Sequence, residues 1–183
     1  WRLFVPQKND VVIEMDPGMA FGSGLHFTTK SCLVLLEKHV KKGDLVLDVG
    51  TGSGILAIAA AKLGAGEVVA LDIDEVAVQV AIANVQDNDV RDVVRVIHSS
   101  PENVELEKCN MIVANIIAEV IVELLPCFNR LLKDGGTFIG AGIIPKRLDA
   151  VLEAAEKQGM VLKETYSDEQ EQWVSIVCCK GID

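Results

Sequence analysis

The chain has 183 residues, of which 50% are hydrophobic, 24% charged and only 4% aromatic. This length and balance predict one globular domain with an aliphatic core, and they exclude a disordered chain. The 17 basic and 27 acidic residues give a formal net charge of −10, which disfavours direct binding to nucleic acid. No apolar run approaches the roughly 20 residues that a membrane span needs, so we expect no membrane contact.

The five cysteines are an odd number without Cys-x-x-Cys spacing, and they are Cys32, Cys109, Cys127, Cys178 and Cys179. We expect buried, reduced thiols rather than disulfides or metal ligands, which favours a cytoplasmic location. The three histidines are far apart in the sequence and do not indicate a metal site, and His39 is expected on a solvated helix face. The first residue is Trp1 rather than Met, which indicates one domain of a longer chain or a trimmed form of it.

Apolar segments of strand length alternate with helical patterns, which is typical of α/β architecture. We predict strands at 45–49, 68–71, 93–98, 110–115, 137–141, 160–166 and 173–179, helices at 55–63, 74–86, 118–132 and 146–158, and a turn at 134–136. The last two strands have no helix between them, so they are predicted to pair as an antiparallel hairpin with residues 168–171 in a solvated turn. The other strands are apolar enough to be buried on both faces of a mostly parallel sheet.

A glycine-rich loop, Asp48-Val49-Gly50-Thr51-Gly52-Ser53-Gly54, follows the first strand and precedes its helix. Such a loop lets a ligand approach the backbone closely at a helix N-terminus, although it can also serve only to pack helix on strand. Dinucleotide enzymes place the third glycine five positions after the first, whereas here the separation is four. Asp72 ends the second strand, where its carboxylate can accept hydrogen bonds from ribose hydroxyls, while Asp74 is predicted to cap the next helix.

Four segments together resemble one family, and they are DPGMAFGSGLHFTT at 16–29, DVGTGSG at 48–54, LDID at 71–74 and VANIIA at 113–118. They are similar to the bacterial methyltransferases of large-subunit ribosomal protein eleven. The resemblance extends over about residues 11–180, nearly the whole chain. The glycine loop alone is shared by many methyltransferases, whereas the first and last segments in combination are far more specific.

The resemblance implies a Rossmann-like class I methyltransferase fold with a seven-stranded sheet, and an N-methyltransferase that uses S-adenosylmethionine on lysine and N-terminal amines. Its implied protein substrate is a ribosomal protein of the large subunit. By matching position, the cofactor contacts would be Thr29, Gly50, Gly52, Asp72 and Asn115. The side-chain carbonyl of Asn115, at the end of a strand, is also expected to aim the lone pair of the incoming amine. Thr29 has a second interpretation as a helix N-cap.

Two departures from the family pattern lie near the N-terminus. Phe27 stands where the family has the proline of His-Pro-Thr-Thr, which predicts a looser preceding loop. The separate N-terminal recognition domain of the family is not in this sequence. We divide the chain into residues 1–26, an N-terminal strand and a loop covering the cofactor (21–25), and residues 27–183, the methyltransferase domain. His98 and Ser99 are candidates for the adenine edge.

Three alternatives stay open at this point. The chain can be a class I methyltransferase of a small molecule or of RNA, although its acidic charge disfavours the RNA version. It can be a domain that binds S-adenosylmethionine without catalysis, but an amine-orienting Asn115 is not needed for binding alone. An NAD-dependent oxidoreductase is disfavoured by the glycine spacing. The oligomeric state is not predicted.

Overall fold

Strands and helices alternate in the computed structural model, which describes residues 7, 10–15, 24–168 and 172–182. In chain order the elements are α1 (Phe27–His39), β1 (Leu45–Val49), α2 (Ile55–Lys62), β2 (Glu67–Asp72), α3 (Glu75–Asp87), β3 (Val94–His98), β4 (Cys109–Asn115), α4 (Ala118–Leu131), β5 (Leu132–Ile143), α5 (Pro145–Lys157), β6 (Met160–Ser167) and β7 (Val174–Lys180). The predicted strands and helices are therefore confirmed, with shifts of a few residues at their ends.

The seven strands form one sheet in the order β3-β2-β1-β4-β5-β7-β6. The first five strands pair in parallel, and β7 is antiparallel to both β5 and β6. This arrangement confirms the predicted mostly parallel sheet with a C-terminal hairpin. Because the carboxyl ends of β1, β2 and β4 lie at the same edge, the loops that follow them meet there.

Both faces of the sheet are covered, as the apolar strands predicted. Leu47 and Val49 of β1 belong to the cluster packed by α4 and α5, whereas Val46 belongs to the cluster packed by α1 and α2. Alternate residues of one strand thus point to opposite cores. The exception is β6 at the edge, where most side chains are exposed.

Helix α1 begins at Phe27, and its N-cap is His26, whose side chain accepts a hydrogen bond from the Thr28 backbone N–H. The interpretation of Thr29 as the N-cap is therefore wrong, because Thr29 lies inside the first turn. Phe27, in the position of the family's proline, stacks on Tyr166 of β6 at a ring-centroid distance of 5.8 Å. That contact attaches the start of α1 to the edge of the sheet.

The prediction that a turn at 134–136 precedes the fifth strand is wrong. Strand β5 begins at Leu132, directly after α4, and includes these residues as a bulge. Opposite the step from Cys109 to Met111 in β4, β5 advances from Leu132 to Thr137. Gly135 permits this bulge because its φ is +72°.

Two smaller expectations have different outcomes. Asp74 caps α3 by accepting a hydrogen bond from the Val76 N–H at 2.9 Å, as predicted. His39 is not on a solvated face. It is half-buried, and its Nε2 lies 2.5 Å from Glu164 Oε1, while Lys38 also pairs with Glu164. These two bases hold the pKa of Glu164 below its usual range through hydrogen bonds.

The cysteines and the N-terminal region complete the comparison. All five cysteines are free, and four of them are buried as predicted, whereas Cys179 is half-buried. Residues 11–15 form neither helix nor strand, and the rest of the predicted N-terminal strand and of the covering loop falls mostly outside the described residues. The division at residue 26 stays a prediction. Within the described ranges, no helix has the length and apolar character needed to cross a bilayer.

We predict that Gly142→Ala destabilises the protein far more than Gly159→Ala. Both glycines have positive φ, so both variants incur about 1 kcal/mol of backbone strain. A Cβ at Gly142 would also lie 2.4 Å from the Ile116 carbonyl oxygen, whereas a Cβ at Gly159 meets nothing within 4 Å. Urea unfolding should give a loss of about 3 kcal/mol or more for the first variant. Equal losses would contradict the close approach at Ile116.

Candidate functional site

The glycine loop after β1 is folded tightly against the end of β2. Gly50 and Thr51 both donate their backbone N–H to the Leu71 carbonyl at 2.9 Å. The φ angles of Gly50, Gly52 and Gly54 are +71°, +55° and +85°, a region that favours glycine. At Gly50 there is no room for a side chain, since a Cβ would lie 2.5 Å from Ile116 Cγ2.

Asp72 at the end of β2 is bonded to this loop. Its Oδ2 accepts a hydrogen bond from the Gly52 N–H at 2.9 Å, and its Oδ1 accepts one from the Asp74 N–H at 3.0 Å. Each carboxylate oxygen has two lone pairs, so each can accept one further hydrogen bond from a ligand. The backbone donors thus fix the orientation of a carboxylate that still has acceptor capacity.

Asn115 at the end of β4 lies against Thr29 of α1. Its Nδ2 donates a long hydrogen bond of 3.4 Å to Thr29 Oγ1, and the Thr29 side chain is buried. Because the amide nitrogen faces Thr29, the carbonyl oxygen Oδ1 remains the group that can accept a hydrogen bond from a ligand.

A single cavity of about 590 Å³ brings the predicted residues together. Its lining includes all five residues that the sequence singled out: Thr29, Gly50, Gly52, Asp72 and Asn115. The volume is in the range of small-molecule sites. Ser99 also lines the cavity, whereas His98 is not in its lining and has its Nε2 2.9 Å from the Ile73 carbonyl oxygen.

Sequence reasoning missed another part of the cavity lining. Val120, Glu123 and Leu124 of α4 and Ser100 and Glu102 of the β3–β4 loop also line the cavity. The spacing of Val120 and Leu124 predicts that they share a helix face, but nothing in the sequence says that this face covers a cavity rather than the core.

The lining is acidic. Four carboxylates line the cavity, from Asp72, Asp74, Glu102 and Glu123, and no described Lys, Arg or His side chain does. Such a site favours a cation and disfavours a phosphate or pyrophosphate group. In residues 24–168 and 172–182 the structure contains no cluster of His, Cys, Asp and Glu that could hold a metal ion.

Asp48, at the start of the loop, is fully buried. Its Oδ2 accepts a hydrogen bond from the Thr51 hydroxyl at 2.6 Å, and its Oδ1 has no partner among the described residues. Burial raises the pKa of this carboxyl from 3.8 to about 7, against the hydrogen bonds from Thr51 and Ala57, and the charge of Asp72 also raises it. Below pH 7 the group is therefore mostly neutral.

We predict that the free energy of unfolding of the wild type falls as the pH rises from about 4 to 7. Asp48→Asn, which has no carboxyl group to titrate at this position, should lack this contribution. The folded pKa is above the unfolded value, so the folded state binds more protons in this window and stability falls with rising pH. The shift of about three units corresponds to about 4 kcal/mol. Denaturant unfolding of both proteins between about pH 4 and pH 8 measures the difference. A difference independent of pH would contradict the raised pKa.

Known proteins are similar in sequence to this chain over nearly its whole length. Residues 1–181 match the family model described as ribosomal protein L11 methyltransferase (PrmA). Relatives with that name are 47% identical over 178 residues in Desulforamulus reducens and 48% identical over 181 residues in Anoxybacillus flavithermus. These matches cover 97% and 98% of this chain. The chain spans 57% of the length of each of these relatives.

Solved structures share the fold. The crystal structure of ribosomal protein L11 methylase from Lactobacillus delbrueckii subsp. bulgaricus has a TM-score of 0.91 and 32% identity, and the match covers all of this chain and 92% of that one. The precorrin-6y C5,15-methyltransferase from Geobacter metallireducens matches at a TM-score of 0.72 and 17% identity over 88% of this chain and 93% of its own. The sheet and its helices are thus a class I methyltransferase fold, and the chain belongs to the ribosomal protein L11 methyltransferase family.

Proposed function

We propose that this chain is the catalytic part of an N-methyltransferase that uses S-adenosylmethionine and modifies amines of ribosomal protein L11. The observation that carries the proposal is the cavity itself. The glycine loop, Asp72 and Asn115 line one cavity, whose lining also includes Asp74, Glu102 and Glu123 and no described basic residue. A sulfonium cofactor and an amine donor of hydrogen bonds both suit that lining.

The residues present fit the cofactor. Gly50 and Gly52 line the cavity, and Asp72 has acceptor capacity for two ribose hydroxyls. Val120 and Leu124 contribute apolar side chains to the lining, against which an adenine ring can pack. When bound, S-adenosylmethionine supplies a methyl group on a sulfonium, which a neutral amine takes by in-line displacement.

Asn115 would orient the amine. With its Nδ2 directed at Thr29, its Oδ1 can accept an N–H hydrogen bond and so hold the nitrogen lone pair towards the methyl group. Such positioning and the exclusion of water supply most of the acceleration that this kind of reaction needs. The proton lost from the methylated nitrogen passes to water or to one of the acidic residues that line the cavity.

A methyltransferase of small molecules stays a second candidate. The chain spans 57% of its relatives' length, and the surface that binds a protein substrate can involve the rest of that length. The acidic lining weighs against RNA in the cavity and against the pyrophosphate of NAD. The proposed cytoplasmic location follows from a ribosomal protein substrate.

Methyl transfer to ribosomal protein L11 tests the function directly. The chain is incubated with labelled S-adenosylmethionine and purified ribosomal protein L11, and intact-mass and peptide analysis record which amines gain methyl groups. We expect label on lysine side chains or the N-terminal amine. Label on free small amines but never on the protein would favour the second candidate, and no label on any acceptor despite cofactor binding would favour a non-catalytic domain.

We predict that Asp72→Ala weakens cofactor binding by about 1–3 kcal/mol, because it removes two hydrogen-bond acceptors and leaves the Gly52 N–H without a partner. Calorimetric titration measures the affinity. Asp92→Ala is the matched control, because it also removes one carboxylate. Asp92 is exposed and does not line the cavity. Equal affinities for the two variants, with folding intact, would contradict the assignment of Asp72.

We also predict that Asn115→Ala lowers kcat by about 100-fold while the cofactor KM changes less, because positioning of the amine is lost. Thr29→Val should lower kcat in the same direction, since it removes the oxygen that holds the Asn115 amide. Thr29→Ser retains that oxygen and serves as the control. If saturating cofactor restores the full rate of Asn115→Ala, the amine-orienting role is wrong.

A further inference from the structure

A chain of four hydrogen bonds, two buried and two partly buried, joins the segment at residues 11–15 to the glycine loop through Asn84 of α3 and Asn88 at its C-cap. The Glu14 backbone N–H donates to Asn88 Oδ1 at 2.9 Å, and Asn88 Nδ2 donates back to the Glu14 carbonyl at 2.6 Å. Asn88 Nδ2 also donates to the Asn84 carbonyl at 2.8 Å. Asn84 Nδ2 in turn donates to the Ser53 carbonyl in the loop at 2.8 Å.

The two asparagines are positioned to connect these parts of the fold. Asn84 and Asn88 are four residues apart, one turn of α3, and they are 1% and 6% exposed. The Ser53 carbonyl lies between two glycines of positive φ, so a bond to it constrains the loop's conformation. Gly54 packs against α3 as well, since a Cβ there would lie 3.3 Å from the Ala81 backbone.

The segment at 11–15 is docked by further contacts. Lys62, the last residue of α2, donates from Nζ to the Val12 carbonyl at 2.7 Å. Ile13 and Met15 pack on the core cluster beneath α1 and α2. Helices α2 and α3 both begin beside the cavity, and this segment contacts both at their far ends. Its docking therefore acts on the two helices that carry the glycine loop and Asp74.

The hydrogen bonds form a connected network in which each member depends on the next. A buried amide that loses one partner is left unsatisfied, and the cost of that loss is shared with its remaining neighbours. The segment has no part in the cavity lining, and the hydrogen bonds through Asn88 and Asn84 connect it to the glycine loop.

We propose that Asn84 and Asn88 are positioning residues that couple the docking of residues 11–15 to the conformation of the glycine loop, so that cofactor affinity depends on how this segment is held. The identity of the ligand rests on the proposed function. The coupling itself is a property of the chain without ligand.

Glu14→Pro tests the coupling far from the loop. Proline has no N–H to donate to Asn88 Oδ1, whereas Glu14→Ala retains it and removes only an exposed side chain. Hydrogen–deuterium exchange of the ligand-free protein is read at the amides of residues 52–54. We expect exchange about three- to tenfold faster in Glu14→Pro than in the wild type, and no change in Glu14→Ala. Unchanged loop exchange in a folded Glu14→Pro would overturn the proposal.

A double-variant cycle separates this route from general loosening. If the effect passes through Asn88, Glu14→Pro adds nothing to the loop exchange of Asn88→Ala. Additive effects of the two changes would overturn the proposal. Val85→Ala, which removes buried packing from the same helix, is the control for lost stability. Cofactor affinity of the wild type is measured separately, so its absence would overturn the proposed function while the exchange result still decides the coupling.

Discussion

The site depends on the close approach of the glycine loop, the residue after β4 and the end of β5 at the carboxyl edge of the sheet. Ile116 follows Asn115 and lies between two glycines: its side chain occupies the place of a Cβ on Gly50, and its carbonyl occupies the place of a Cβ on Gly142. Both glycines have φ values that other residues rarely adopt. Because Gly50 and Gly142 have no side chains, the end of β4 can lie close to the glycine loop, with Asn115 hydrogen-bonded to Thr29.

Charge is distributed in two layers around this edge. Beneath the loop, Asp48 is buried and has its pKa raised to about 7, so a second full negative charge does not add to that of Asp72 at lower pH. The cavity lining contains four acidic residues and no described basic residue. The proposed chemistry fits that imbalance of charge, because the sulfonium of S-adenosylmethionine is positively charged when it binds. After methyl transfer the same sulfur is a neutral thioether.

The sequence allowed the parts of the site next to strand ends to be predicted. The glycine loop and Asp72 follow or end apolar strands, and the carboxyl ends of parallel strands meet at one edge. The resemblance to the family implied Thr29 and Asn115. Contacts between distant segments could not be predicted in this way. Glu164 beside His39, the bulge at Gly135, and the wall formed by α4 all depend on tertiary packing, which overrides local pattern.

Residues 11–15 belong to the region predicted to hold an N-terminal strand, but they form neither helix nor strand, and their docking was not predicted. They are held by hydrogen bonds to Asn88 and Lys62, whose sequence positions indicate only that they lie at helix ends. This interaction links a segment outside the cavity lining to the loop at its centre.

Calorimetric titration of the chain with S-adenosylmethionine, beside an identical titration with NAD, tests the central claim most directly. The account predicts micromolar binding of S-adenosylmethionine and no measurable binding of NAD, because the glycine spacing and the acidic lining both oppose a pyrophosphate. Binding of NAD, or no heat with S-adenosylmethionine from a folded chain, would contradict it.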